Sequence, residues 1–235
     1  IFICAIPLLL GSCIDIASRT VNGNDNMKTE ERNVAASSRI QSAGNYDVAI
    51  VQGSPFAVKV EADENLLPYI ITEIKDGELH IHTREHYNLH SSHKIKVTVT
   101  TDKLTGAEIA GSGNIIGEGK FTGGDELQLR IAGSGNINLN VNTPDIVSKI
   151  AGSGDIELSG ETKNAKIEIA GDGNYKAENL MTETTEIHIA GSGNTRVYAE
   201  NKLEIHIAGS GDVFYRGNAT IEKHVAGSGR IEKIQ

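Results

Sequence analysis

The sequence predicts an all-β protein: a right-handed parallel β-helix, or solenoid, with coils of 18–22 residues, preceded by a capping segment of short strands. Three observations predict it. The first is a corner motif, Ala-Gly-Ser-Gly, beginning at Ala110, Ala132, Ala151, Ala190, Ala208 and Ala226, with Ala-Gly-Asp-Gly at Ala170. Successive copies are 22, 19, 19, 20, 18 and 18 residues apart, and a near-fixed period of this size marks a stacked repeat. The second is alternation. Before each alanine stands Ile109, Ile131, Ile150, Ile169, Ile189, Ile207 or Val225; before that stands Glu108, Arg130, Lys149, Glu168, His188, His206 or His224. Branched apolar residues alternating with long polar ones describe strands with one buried face. The third is composition: 26 glycines, no Trp, and only six Tyr and four Phe, which suits a thin β core rather than a helical bundle.

The net charge of −9 argues against nucleic acid as the main partner, because phosphate contacts need clustered Lys and Arg. Both cysteines, Cys4 and Cys13, lie in the first thirteen residues, so disulfides do not staple the body.

Residues 1–12 form an apolar run too short to span a bilayer and read as a signal peptide lacking its positive start. Leu10-Gly11-Ser12-Cys13 resembles a bacterial lipoprotein signal, so lipidation is expected at Cys13, which anchors the chain to a membrane. The expected location is the bacterial outer membrane, facing the periplasm or the cell surface. Residues 13–38 show no sustained period and read as the lipidated Cys and a flexible tether.

Residues 39–105 read as opening, capping strands. Phe56, Val58 and Val60 alternate with Lys59 and Glu61. Pro68 limits any helix in 64–74, and Asp76-Gly77 is a type I′ hairpin signal. Residues 84–93 read as a polar loop. His80 and His82 share a strand face, a spacing that can hold a metal.

In the repeats, 106–235, each Ala-Gly-Ser-Gly turns the chain between strands, and a coil closes over about three short strands. Alanine is expected to fill the inner angle, with glycine supplying positive φ. The residue after each copy is Asn114, Asn136, Asp155, Asn174, Asn194, Asp212 or Arg230, and a ladder of amides between coils is expected there. One coil end is capped by the opening segment; the charged tail Arg230–Gln235 blunts the other.

The repeated AGSGNI and AGSGDI, with the opening YDVAIVQGSPFAVKVEADENLLPYI and IKDGELHIHT, resemble the head-GIN domain, a bacterial family labelled for auto-transporter adhesion and common in relatives of Bacteroides. The likeness covers about 40–235. It implies a β-helical domain on secreted or lipid-anchored envelope proteins and brings no catalytic residues.

Chemistry is weighed on the outward columns. Glu168, His188, His206 and His224 fall on consecutive coils, about 4.8 Å apart, close enough for a metal site or a general-base pair; the competing reading is a solvated ladder. Asp155 and Asp172 could share an opportunistic cation, but five of seven copies lack an acid after the loop, against a calcium roll. No carboxylate cluster for polysaccharide cleavage is readable. The expected protein is a non-enzymatic adhesion or binding scaffold without cofactor, with a glycan or protein ligand. The alternative is a pectinase-like β-helix enzyme.

Overall fold

The computed structural model describes residues 18–235; the apolar run 1–12 and Cys13 lie outside the described residues. The leading half comprises β1 (Arg19–Asn22), β2 (Met27–Arg32), β3 (Arg39–Gly44), β4 (Asp47–Gln52), β5 (Ala57–Asp63), β6 (Ile70–Lys75), β7 (Glu78–Thr83), β8 (Tyr87–His90) and β9 (Lys96–Thr101). The repeats comprise β10 (Gly106–Gly111), β11 (Asn114–Thr122), β12 (Glu126–Gly133), β13 (Asn136–Gly152), β14 (Asp155–Gly171), β15 (Tyr175–Gly191), β16 (Thr195–Tyr198), β17 (Lys202–Gly209), β18 (Val213–Arg216), β19 (Thr220–Gly227) and β20 (Ile231–Lys233). No described helix is long and apolar enough to cross a membrane.

The repeats form a parallel β-solenoid in which every corner lies on its counterpart. Ala110 pairs with Ala132, Ala132 with Ala151, and so on through Ala170, Ala190 and Ala208 to Ala226. The isoleucine before each alanine is at most 2% exposed from Ile109 to Ile207, while Val225 on the last coil is 42% exposed. A second inward column on the other side of the corner runs Ile115, Ile137, Ile156, Tyr175, Thr195 and Val213. Burying each such aliphatic side chain contributes roughly 1.5–3 kcal/mol, so the core is a sum of similar layers.

Three expectations are corrected. First, alanine does not fill the inner angle: strict alternation after a buried isoleucine turns it outward, and Ala132, Ala151, Ala170, Ala190 and Ala208 are exposed. The second glycine of the motif lies inside instead, with Gly135, Gly154, Gly173, Gly193 and Gly211 all buried. Second, β13, β14 and β15 run unbroken for 17 residues from one glycine corner to the next. Their burial alternation slips near Thr143, Thr162 and Thr182, giving each of these coils a further, gentler corner within an unbroken strand, and β15 slips once more at Glu178–Asn179, where its register against β14 shifts. These threonines stack on one another. Thr143 and Thr162 donate to the carbonyls of Gly124 (2.9 Å) and Pro144 (3.0 Å), and Thr182 donates to that of Tyr198. Third, the span expected as a flexible tether contains β1, parallel to β8, and β2, antiparallel to β5. The loop expected at 84–93 accordingly contains β8.

The solenoid also begins earlier than its obvious motif. β3 lies between β7 and β10, and β4 pairs with both β9 and β11, all in parallel. Ala43-Gly44-Asn45-Tyr46-Asp47 is a disguised corner, with Ala43 against Ala110 and Asp47 against Asn114. The expected cap is real but narrower than 39–105: β6 closes β7, and β5 closes β9, both antiparallel. Asp76 and Gly77, at φ 52° and 81°, make the tight β6–β7 hairpin, and Pro68 sits in a single 3₁₀ turn, Leu67–Tyr69.

The corners set the packing. The first glycine of each copy has φ between +129° and +144°, a region that L side chains rarely enter. Its carbonyl accepts the N–H of the residue after the equivalent glycine on the next coil, as from Ser153 to Gly133 at 2.9 Å. A Cβ on the second glycine, Gly154, would collide with the Gly135 carbonyl and come within 2.8 Å of Ile131 Cγ2. Gly154→Ala is therefore expected to cost about 1–3 kcal/mol or more of unfolding free energy. Ser153→Ala, on the exposed position beside it, should stay within about 0.5 kcal/mol. Urea denaturation of both variants checks this, and equal costs would show that the corner tolerates a side chain.

Candidate functional site

Because inward and outward positions alternate and the coils are in register, the outward side chains form straight columns. One runs His80, Gln41, Glu108, Arg130, Lys149, Glu168, His188, His206, His224. Beside it, two residues earlier in each strand, stand Lys166, Glu186, Glu204 and Glu222 on successive coils. Over the first coils the charges are mixed and paired, as in Lys149–Glu168 at 2.6 Å. Over the last three the chemistry repeats: Glu186/His188, Glu204/His206, Glu222/His224.

The three histidine rings stack, 4.7 Å apart and 3° from parallel for His188–His206, and 5.0 Å and 18° for His206–His224. His188 Nε2 lies 2.6 Å from Glu186 Oε1, and His206 Nε2 lies 3.0 Å from Glu204 Oε1. Hydrogen bonds from His206 and Lys202 hold the Glu204 carboxyl down at about 2, and His188 with Lys166 lowers Glu186. An imidazole lone pair lies in its ring plane, so stacked rings do not aim two lone pairs at one ion between them. Glu168, the fourth candidate, is held by Lys149 and approached by Lys166 at 3.8 Å. The structure thus lines these four residues up in one column, with His188 and His206 bonded to glutamates, His224 stacked on His206, and the three histidines beside a groove of about 510 Å³ along Ala190, Ala208 and Ala226. His80 and His82 face different carboxylates, Glu78 at 3.9 Å and Glu73 at 3.3 Å.

A second concavity, about 840 Å³, lies between the disguised corner at Ala43–Asp47 and the chain around β8; His82, Asn88, His90, Ser92 and Lys94 line it. Tyr46, in the place of a corner glycine, is buried with its hydroxyl on Thr83 Oγ1. Burial raises its phenol above the usual value, and the Thr83 bond partly offsets this.

The expected amide ladder runs along the corner edge, longer than the motif alone implies. Asn114 Nδ2 donates to Asp47 Oδ1 at 2.7 Å, Asn136 Nδ2 to Asn114 at 2.9 Å, and Asn174 Nδ2 to Asp155 at 2.9 Å. The N–H of Asp155, Asn194 and Asp212 each donates to the side-chain oxygen one coil below. Lys94 closes the ladder on Asp47 at 2.8 Å and Arg230 on Asp212 at 2.7 Å.

Comparison with known proteins now decides the family. The model described as "Putative auto-transporter adhesin, head GIN domain" matches residues 38–219. The chain belongs to the head GIN domain family. Crystal structures with this architecture include a protein of Parabacteroides distasonis described as a putative lipid binding protein, 28% identical, with a TM-score of 0.77 over 92% of this chain and all of that one. Putative adhesins of Bacteroides fragilis (22% identical, TM-score 0.85, 91% and 100% covered) and Parabacteroides merdae (23%, 0.74, 93% and 100%) share the fold. No curated protein matches the sequence.

In this head GIN domain the acids after the corners serve the ladder. Asp155 is bound by Lys176 at 2.7 Å as well as by Asn174, so the lysine supplies the positive charge beside it. Sequence reading missed the Glu186/Glu204/Glu222 column, although Glu-x-His repeats at 18-residue spacing were its signal. It missed the 840 Å³ concavity because Asn45-Tyr46 masks the corner that forms one wall.

Burial disfavours the charged form of Asp155, but the bonds from Lys176 and Asn174 outweigh it and hold the carboxyl below its ordinary range. Asp47, against burial, is lowered by Lys94 and Asn114, and Asp212 by Arg230. A carboxyl with a folded pKa below its unfolded value stabilises the fold fully above that unfolded value, about 3.9, and the contribution is lost as pH falls through the folded value. The ladder's share is therefore complete above about pH 4 and fades below it. Asp155→Asn should flatten the acid-side fall of the urea midpoint; an unchanged slope would remove Asp155 from the ladder's pH response.

Proposed function

We propose that this head GIN domain is the body of a bacterial cell-envelope lipoprotein, anchored at Cys13, and acts as a rigid, non-catalytic binding scaffold. The carrying observation is the repeated Glu/His rungs, Glu186/His188, Glu204/His206 and Glu222/His224, set in register beside a groove. Identical groups at one-coil spacing suit a ligand that is itself repetitive or extended, and a solenoid face is a natural platform for one. Membership in a family described for adhesion supports an envelope or surface role. The Parabacteroides distasonis relative, described as lipid binding, raises acyl ligands, and the groove along Ala190, Ala208 and Ala226 is mostly apolar; the charged Glu/His rungs at its edge and the polar lining of the larger concavity favour a glycan or protein instead.

Two measurements test the reading. Glycan and envelope-protein arrays should show binding that weakens at least about tenfold when His188, His206, Glu186 and Glu204 are changed to alanine together. Turnover of a uronic-acid polymer would overturn the non-catalytic assignment. Cys13→Ser should release the chain from the membrane fraction and abolish incorporation of labelled palmitate; retention would overturn the anchor.

A further inference from the structure

Away from these columns, three segments converge at the capped end. Asp25 lies in the turn between β1 and β2, Asp63 ends β5, and His93 stands in the turn before β9. One ligand atom from each lies within 4.8 Å of the other two. His93 Nδ1 is 3.7 Å from Asp25 Oδ1, near the ~3.4 Å edge of a tetrahedron with ~2.1 Å bonds.

Asp63 carries the argument. It is 0% exposed, its Oδ2 accepts the Ser91 hydroxyl, and its Oδ1 has no partner among the described residues. An unpartnered carboxylate oxygen away from water is costly, and native structures rarely leave one. The leading segment folds directly over it: a Cβ on Gly23 would fall within 2.6 Å of the Asp63 carboxyl carbon. Ser92 donates to Asp25 Oδ1 and stands 3.2 Å from His93 Nδ1, so it links two of the three groups.

We propose that Asp25, Asp63 and His93 bind one divalent cation of the zinc type, fastening the β1–β2 segment to the cap. Two carboxylates balance a double positive charge and supply the buried Oδ1 with its partner. The imidazole selects a borderline ion over Ca²⁺ or Mg²⁺, which take oxygen ligands. The cation joins strands distant in sequence, so its binding energy becomes stability of the leading segment.

The test uses the full chain, stripped with chelator and titrated with Zn²⁺ against a chromophoric competitor. One equivalent should bind, with amide exchange over residues 19–32 slowing at least about tenfold. Asp25→Asn suits the φ of +56° at that position, and His93→Ala changes a half-exposed side chain, so both variants retain the fold. Each should weaken Zn²⁺ binding at least about tenfold, while His188→Ala with His206→Ala leaves it unchanged. The proposal is overturned by absence of saturable binding, by wild-type affinity in Asp25→Asn and His93→Ala, by loss of binding in the His188/His206 variant, or by tighter binding of Ca²⁺ than of Zn²⁺.

Discussion

Backbone meets backbone at the glycine corners, and that close approach governs the rest of the molecule. From Gly133 to Gly227, a Cβ on the first corner glycine would overlap the carbonyl of its counterpart on the previous coil. Only a residue without a side chain lets the coils approach at strand spacing while the chain reverses. Once the corners lie on one another, the register of both flanking runs follows, because a shift of one residue would turn every isoleucine outward. The side-chain ladder from Asp47 to Arg230 then accepts the N–H groups that the tight turn leaves without strand partners.

Register separates the inside from the outside. The inner columns tolerate few polar residues. Tyr175 is one, fully enclosed, with Ser148 3.5 Å from its hydroxyl and its phenol pushed by burial to about 12. Ser42 and Thr195 keep hydroxyl oxygens without partners among the described residues in the same shaft. The outer columns carry no packing requirement, so their chemistry varies from coil to coil, and the repetition of Glu and His on the last three coils is a property of the surface alone. The two ends also differ. β5 and β6 close one end with antiparallel strands, whereas β19 places Lys223 in the column of Ile167, Ile187 and Ile205. A charge pointing into an apolar column discourages another strand from adding there.

The capped end is where the chain leaves repeat logic. The path runs from β3 and β4 through the cap to β7 and β9 on one side, then crosses to β10 on the other. Sequence neighbours are therefore not neighbours in the stack. This crossing builds the larger concavity and brings Asp25, Asp63 and His93 together from segments up to 68 residues apart.

The sequence by itself determined the parallel solenoid, its in-register corners, the buried isoleucine column, the amide ladder and the Asp76-Gly77 hairpin. These follow from local period and turn chemistry, which a repeat writes many times over. Tertiary structure alone decided that the alanines face solvent while the second glycines face the core. That follows from carrying the alternation through the turn, where loop length and φ are invisible in the letters. It alone showed that Ala43–Asp47 is a corner, because Tyr46 replaces a glycine and is accommodated only where β7 supplies Thr83. The order of β1, β2 and β8 is likewise decided by contacts: their short polar sequences have no period, and they become strands because a sheet edge or another strand is there to pair with. The histidines at 188, 206 and 224 were legible as a column, but their ring stacking, and the pairing of His188 and His206 with glutamate, depend on rotamers that only neighbouring coils select.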